Sequence, residues 1–422
     1  MWRLRRASPL RVPRLARLLS TSTDERSVLQ RVSLSRLAHQ SHVRLQLTDA
    51  VARVRVVPTL DHADFAVDVF AIDTGASGLG DVVSVEEERV EDDGGVKAVR
   101  IHSAAIEHAG AVELELRLPH LMDLDVSAVR GDIEIQDKVE GNVRVAVGDG
   151  DIRVHKVRGE QIQLKTNRGR VEVASLVEGE HVKIAASAVT VKRLMSAMTE
   201  VKLAKASDDD TEFGAIYAST CLVNSLGHGA IRVGNIHGFL RVIGEDMAAV
   251  SVGSVNGALH VEDTGARCSV DAHFDAWTAD AMSKIFVGRD VRVSLDPSAP
   301  LDVELHGSKI ETSACCFGES ELDQLDDDFA IFTGHVVATA SATASSLTSG
   351  KINVGNAKTA ALRTSFFAQD KETASEGSED DGDEDGASAP AVPRLTVHSS
   401  TGCVTIEQLD WMSKLKRKHL SQ

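Results

Sequence analysis

The stretch GDIEIQDKVEGNVRVAVGDGDIRVHKVRGEQIQLKTNRGRVEV, residues 131–173, says one phrase three times. Gly131, Gly150 and Gly169 stand 19 residues apart, and each opens an alternating pentapeptide. Apolar Ile133 and Ile135, then Val143, Val145 and Val147, Ile152 and Val154, Ile162 and Leu164, Val171 and Val173, Val182 and Ile184 fall at period two. Between them stand Glu134, Arg144, Arg153, Gln163, Glu172 and Lys183. In a strand, period two buries one set and leaves the other in water. Short connectors ending in glycine (VRG from 129 and 157, VEG from 139 and 177, NRG from 167) separate the strands. Glycine turns such corners because no Cβ obstructs a positive φ. Each 19-residue unit therefore holds two short strands and two corners.

A nine- or ten-residue strand spacing alone would suit an antiparallel meander. Same-phase similarity at 19 residues favours a parallel β-solenoid, in which like corners stack on each other about 4.8 Å apart. The outward positions agree, since Glu134, Arg153 and Glu172 would form a ladder of alternating sign. The pattern drifts but persists in GAIRV (229–233), GFLRV (238–242) and GALHV (257–261), then in SKIFVGRDVRVSL (283–295) and GSKIET (307–312). Residues 126–311 would make about ten turns and a rod about 45–50 Å long. Residues 40–125 alternate without the glycine period and are expected to cap the open stack. Residues 312–370 continue as later turns and loops. Residues 371–393 pack acids among Gly, Ser and Ala without apolar bulk, the composition of a disordered insertion. Residues 394–422 supply a final strand pair, RLTVHSSTGCVTIEQL, and LDWMSKLKRKHL (409–420) fits a short amphipathic terminal helix.

The segment LRLPHLMDLDVSAVRGDIEIQDKVEGNVRVAVGDGDIRV (116–154) resembles the putative-adhesin family, a bacterial domain of unknown function whose members carry repeated Ser/Asn-x-Gly-Asp-Ile-x-Val units. GHGAIRVGNIHGFLRV is similar to eukaryotic, mitochondrially targeted relatives of that domain. The likeness covers residues 110–310, and more weakly 329–406. It implies a right-handed, parallel β-helix and no catalytic residues.

The first 23 residues hold Arg3, Arg5, Arg6, Arg11, Arg14 and Arg17, several Ser and Thr, and no acid. Arg interrupts every apolar run, which excludes a secretory signal and suits a mitochondrial transit peptide at 1–23, cut near Arg17-Leu18-Leu19-Ser20. Residues 24–39 would then be a linker. Net charge is −17 for the whole chain, so the part without this leader is more acidic still. That balance argues against nucleic acid as a partner. No run of 18 apolar residues implies a membrane-spanning helix. Aromatic content of 4 % leaves a core of Val, Ile, Leu and Ala, which suits thin repetitive β layers. Five scattered cysteines without C-x-x-C spacing fit a reducing compartment.

Chemistry is sparse in the pattern. His228, His237, His260 and His273 form the densest histidine group, but without zinc spacing. VGDGDIRV (147–154) resembles one unit of a calcium nonapeptide, which works only in tandem. SDDDTEF (207–213) reads as a solvated turn, and adjacent Cys315 and Cys316 are too close for a C-x-x-C site. No catalytic, cofactor-binding or metal residues are assigned. The expectation is a non-enzymatic mitochondrial β-solenoid acting as an interaction surface or scaffold. Its partner would be a protein, of basic character where the acidic insertion takes part. The alternative is a carbohydrate-active or other hydrolytic β-helix enzyme, which would need acids clustered in a groove on one sheet.

Overall fold

A computed structural model of the chain describes residues 28–34, 37–60, 65–71, 83–89, 96–103, 112–204, 208–277, 281–298, 300–326, 329–338 and 392–409. The leader, residues 339–370 of the expected later turns and loops, residues 371–391 of the acidic insertion and residues 410–420 of the expected terminal helix lie outside them. Every regular element among the described residues is a strand. In chain order they are β1 (Val28–Leu34), β2 (Leu37–Thr59), β3 (Phe65–Ala71), β4 (Val83–Arg89), β5 (Val96–Ser103) and β6 (Val112–Pro119). The repeats follow as β7 (Asp123–Glu140), β8 (Val143–Asp149), β9 (Ile152–Arg158), β10 (Gln161–Arg168), β11 (Arg170–Ala186), β12 (Ala188–Leu203), β13 (Thr211–Ser225), β14 (Ile231–Gly244) and β15 (Ala249–Asp263). The last are β16 (Ser269–Ala276), β17 (Met282–Val287), β18 (Val291–Leu295), β19 (Leu301–Gly307), β20 (Lys309–Ala314), β21 (Phe317–Asp326), β22 (Phe329–Val336), β23 (Arg394–Ser399) and β24 (Cys403–Gln408).

The strands stack in parallel, coil on coil. One sheet runs β6-β2-β7-β9-β11-β12-β13-β14-β15-β16-β18-β24-β20. A second runs β5-β2-β7-β8-β10-β11-β12-β13-β14-β15-β17-β23-β19. The long strands serve both sheets, bending where the register shifts, as between Val173 and Val177 of β11. Ile133 faces Ile152 and Ile152 faces Val171, so the sequence period is the coil in this part of the chain.

Register puts like on like. Ile133, Ile152, Val171 and Val189 form one inward column, while Val126, Val145, Leu164, Ile184, Val201, Val223, Val242, Val261 and Ile285 form another. All are buried. Branched aliphatic side chains suit this interior, because each repeats the shape of the residue above it and alternation keeps polar neighbours outside.

The corners are fastened by side chains. The Asp151 amide donates to the Asp132 carboxylate at 3.0 Å, and the Arg170 amide donates to Asp151 at 2.9 Å. At the other corner the Asn142 amide donates to Asp123 at 2.7 Å, and Gln161 donates to the Asn142 side-chain oxygen at 2.8 Å. Ala230 to Asp210 at 2.9 Å and Cys403 to Asp290 at 2.8 Å repeat the arrangement further along. Each Asp or Asn thus satisfies the first amide of the next coil, much as a cap satisfies a helix end. Beside it the backbone approaches itself closely. A Cβ on Gly150 (φ 145°) would lie 2.3 Å from the Gly131 carbonyl oxygen, and one on Gly169 would lie 2.0 Å from that of Gly150. Glycine is required where the backbones meet, and an Asp or Asn oxygen fastens the neighbouring amide.

Both ends depart from chain order. Within residues 40–125, expected as a β-rich cap, the described strands β2, β5 and β6 continue the coils: β2 lies between the β5–β6 coil and β7, although β6 leads directly into β7. The expected linker at 24–39 contains β1. At the far end β23 lies between β17 and β19, and β24 between β18 and β20. The strand pair following the insertion is therefore not the last coil. Antiparallel strands cover three of the outer edges, with β4 on β5, β3 on β6 and β22 on β19.

Two substitutions test the alternation. Ile152→Asp places an unpaired carboxylate among stacked coils and is expected to cost several kcal/mol, about 3 or more. Arg153→Gln, one residue along and half exposed, is expected to cost less than about 1 kcal/mol; denaturant unfolding of the two variants measures the difference. Asp151→Ala orphans the Arg170 amide and is expected to cost about 1–2 kcal/mol, most of it restored by Asp151→Asn.

Candidate functional site

The outer surface is a set of columns, one residue per coil. On the first sheet the column reads Arg31, Asp68, Glu115, Arg55, Glu134, Arg153, Glu172, Thr190, Glu212, Arg232, Ser251, Asp271, Arg292, Thr405, Glu311. The expected Glu134–Arg153–Glu172 ladder lies within it. Arg55 reaches Glu113 at 2.8 Å, Glu115 at 3.3 Å and Glu134 at 3.9 Å; Arg153 reaches Asp151 at 3.0 Å, Asp132 at 3.5 Å and Glu172 at 3.9 Å. Arginine is suited to this, since its fork bonds several carboxylates at once.

Toward the far end this face opens into a shallow groove of about 680 Å³, bordered by Ser251, Asp271, Asp290, Arg292, Glu311 and Thr405 among others. Its acids do not form a catalytic pair. Asp271 and Glu311 are separated by the rungs of Arg292 and Thr405, three strand spacings or about 14 Å. Asp290 accepts the Cys403 amide, and Glu311 pairs with Lys309 at 2.6 Å. Paired glycosidase carboxyls stand about 5–9.5 Å apart.

The second sheet carries a smaller groove of about 290 Å³ lined by Arg241, His260, Val261, Glu262, Lys284 and Phe286. Arg241 pairs with Glu262 at 3.0 Å. His260 donates from Nε2 to the Met282 carbonyl at 2.9 Å and meets Phe239 edge-on at 4.8 Å. Burial pushes its pKa below the ordinary range, with Lys284 and Arg241 adding to the effect. One column over, His398 on β23 stands between Phe286 at 6.1 Å and His306 at 5.7 Å, with Phe329 at 6.0 Å. His306 donates to Glu304 at 2.9 Å, which also binds Arg394 and is held ionised below the usual carboxylate range by both.

The four grouped histidines are not brought together. His228 lies 3.2 Å from the Asp246 carbonyl, His237 stacks on Tyr217 at 4.6 Å, His260 sits in the smaller groove, and His273 is buried. Among the described residues no group of three or more His, Cys, Asp or Glu is placed to hold a metal. The described part of the 207–213 run is a corner fastening rather than a merely solvated turn: Asp209 binds Arg170, and Asp210 binds Arg232 and the Ala230 amide. Cys221, Cys268 and Cys315 are pushed up to about 12 by burial, which keeps them as unreactive thiols.

Sequence reading missed one constellation. His273 Nδ1 lies 2.8 Å from Ser294 Oγ and its Nε2 lies 2.8 Å from Asp275, which accepts from Ser254. These are the residue types of a hydrolytic triad, but Ser294 is 5 % exposed and none of the four borders either groove. Ser294 and His273 are both buried, and the line satisfies their polar atoms. Nothing in VDAHFDA (270–276) marked it, because His273 falls at a polar position of an unbroken alternation.

His398 supplies a pH test. Burial, and secondarily His306, lowers its pKa below the ordinary 6.5. The unfolded chain therefore binds more protons as pH falls through that value, and stability declines with it. His398→Gln is expected to flatten the loss between about pH 7 and 5, read as the urea midpoint against pH.

Among the described residues no helix is long and apolar enough to cross a membrane. No curated protein is significantly similar to the chain. Three solved structures are similar in part. A putative adhesin from Bacteroides fragilis NCTC 9343 is 9 % identical, over 59 % of this chain and 97 % of that one, with a TM-score of 0.29. A putative cell adhesion protein from Clostridium sporogenes ATCC 15579 is 7 % identical, over 90 % and 99 %, with a TM-score of 0.16. A putative adhesin from Parabacteroides distasonis ATCC 8503 is 12 % identical, over 67 % and 88 %, with a TM-score of 0.24. Similarity at these TM-scores carries no argument about function. Residues 92–273, the segment that holds the repeated Gly-Asp corners, match the family described as Toastrack DUF4097, a likeness to a putative-adhesin-like β-solenoid domain of unknown function.

Proposed function

We propose that the protein is a mitochondrial, non-enzymatic scaffold. In this reading the chain is a right-handed β-helix of about 19-residue turns, a mitochondrially targeted eukaryotic relative of the Toastrack domain, and its rigid outer face binds a protein partner. The observation that carries the proposal is the outward column from Arg31 to Glu311, a long regular surface whose charges are largely held in ion pairs, within the column from Arg31 to Glu172 and with flanking residues beyond. Solenoids offer such surfaces by construction, and side chains already held in place lose little entropy on binding. A second reading, the carbohydrate-active or other hydrolytic β-helix enzyme, would place its substrate in the wider groove beside Asp271, Arg292 and Glu311, by a chemistry other than the paired carboxyls of a glycosidase.

The leader carries the address. A reporter fused to residues 1–23 is expected to enter mitochondria, and the chain lacking them to stay in the cytosol; a cytosolic or secreted reporter contradicts this. Proximity labelling from the imported full chain is expected to mark a recurrent protein set that Arg292→Glu with Arg232→Glu depletes. Labelling unchanged by that variant, together with hydrolysis of a glycan panel by the unmodified chain, favours the enzyme instead.

A further inference from the structure

We propose that the space between β17–β18 and β19–β20 is a binding site for an extended two-strand peptide, and that residues 394–408 occupy it as a separable ligand. The inference does not depend on the scaffold reading. Its basis is a juxtaposition. The walls of the slot are joined to each other by residues 296–300 alone, while the segment between them is reached only through residues 337–393. The slot is thus assembled by chain that precedes its occupant.

The occupant is held as a ligand would be, along both edges. The Arg394 amide donates to the Ala281 carbonyl and the Asp302 amide to the Pro393 carbonyl, both at 3.0 Å. The Ser400 and Thr401 amides donate to Val287 and Gly288 on one wall at 3.0 Å, and Ser308 on the other wall donates to Gly402 at 3.1 Å. Leu395, Val397, Val404 and Ile406 are buried and complete the inward columns. Side chains set the register: Asp290 accepts the Cys403 amide, Arg292 pairs with Glu407 at 2.9 Å, and Glu304 binds Arg394. Peptides that add to a sheet usually gain one edge; this one gains two, with pockets for alternate side chains.

The length of chain between the slot and its occupant does not dictate the seating. Val336 and Arg394 lie beside Leu301 and Asp302 on opposite edges of β19, two strand spacings or about 10 Å apart. Three or four residues would cross that gap, yet residues 337–393 lie between. A link far longer than its span supplies only an effective concentration, about millimolar at most. A segment bound tighter than about micromolar should then remain after the link is cut. The recognised ligand is an extended peptide with apolar residues at the positions of Leu395, Val397, Val404 and Ile406, joined by a glycine-containing corner.

The test uses the full chain with a protease site replacing residues 380–385 and a tag at its N-terminus. After cutting, the C-terminal fragment is expected to co-elute with the tagged body. A fluorescent peptide of residues 392–409, added in about tenfold excess and warmed to just below the unfolding midpoint, is expected to replace it. The same peptide with Leu395→Asp and Val397→Asp is expected to bind at least about 100-fold more weakly. Release of the fragment on cutting, unfolding of the body on cutting, failure of the matched peptide to enter, or equal entry by the Asp-bearing peptide would each overturn the proposal.

Discussion

The parallel backbone ladder between successive coils is the constraint on which the structure depends. It sets each residue directly against the equivalent residue of the next turn, as Ile152 is set against Ile133 and Val171. Anything placed in the chain once must therefore be compatible with a neighbour of its own kind. Aliphatic side chains meet that condition easily, since their burial is favourable in any number and they interlock with copies of themselves. Charges meet it best when sign alternates, which is why arginine follows carboxylate through so much of the outward column. Glycine at the corner meets it because carbonyl oxygens come within a distance that no side chain tolerates.

A stack built this way has a problem at each end, where a coil offers unpaired amides and carbonyls to any passing strand. The same arrangement answers it twice. Each terminal coil of the chain, β2 and the β23–β24 pair, is placed one layer in, and an internal coil takes the outermost position. Detaching either of these coils requires breaking two ladders rather than one. Antiparallel strands then cover much of the remaining edge, and β21 carries charged, exposed residues outward.

How much could be read in advance follows from the range of each interaction. The Gly-Asp corners and the aliphatic columns were legible because their partners lie about one coil away, so each leaves a periodic trace in the sequence. The insertion of β23 was not, because Met282 meets Arg394 across a span that no period marks. The same holds for His42 of β2 opposite Asp123. Among candidate sites, the sequence exposed the acids at 208–210 but not their bonds to Arg170 and Arg232, which depend on how the intervening coil folds. The Ser294–His273–Asp275 line was hidden for a similar reason. Ser294 has no distinguishing neighbours until β16 and β18 are aligned.

The most direct test of this architecture is native-state hydrogen exchange at the C-terminal strands. If β23 and β24 are an inner layer, the amides of Thr396, Val397, Thr405 and Ile406 exchange as slowly as those of β17 and β18, and more slowly than those of β20, despite lying near the end of the chain. Rapid exchange in β23 and β24 beside protected β19 and β20 would place them outside the stack and contradict the account.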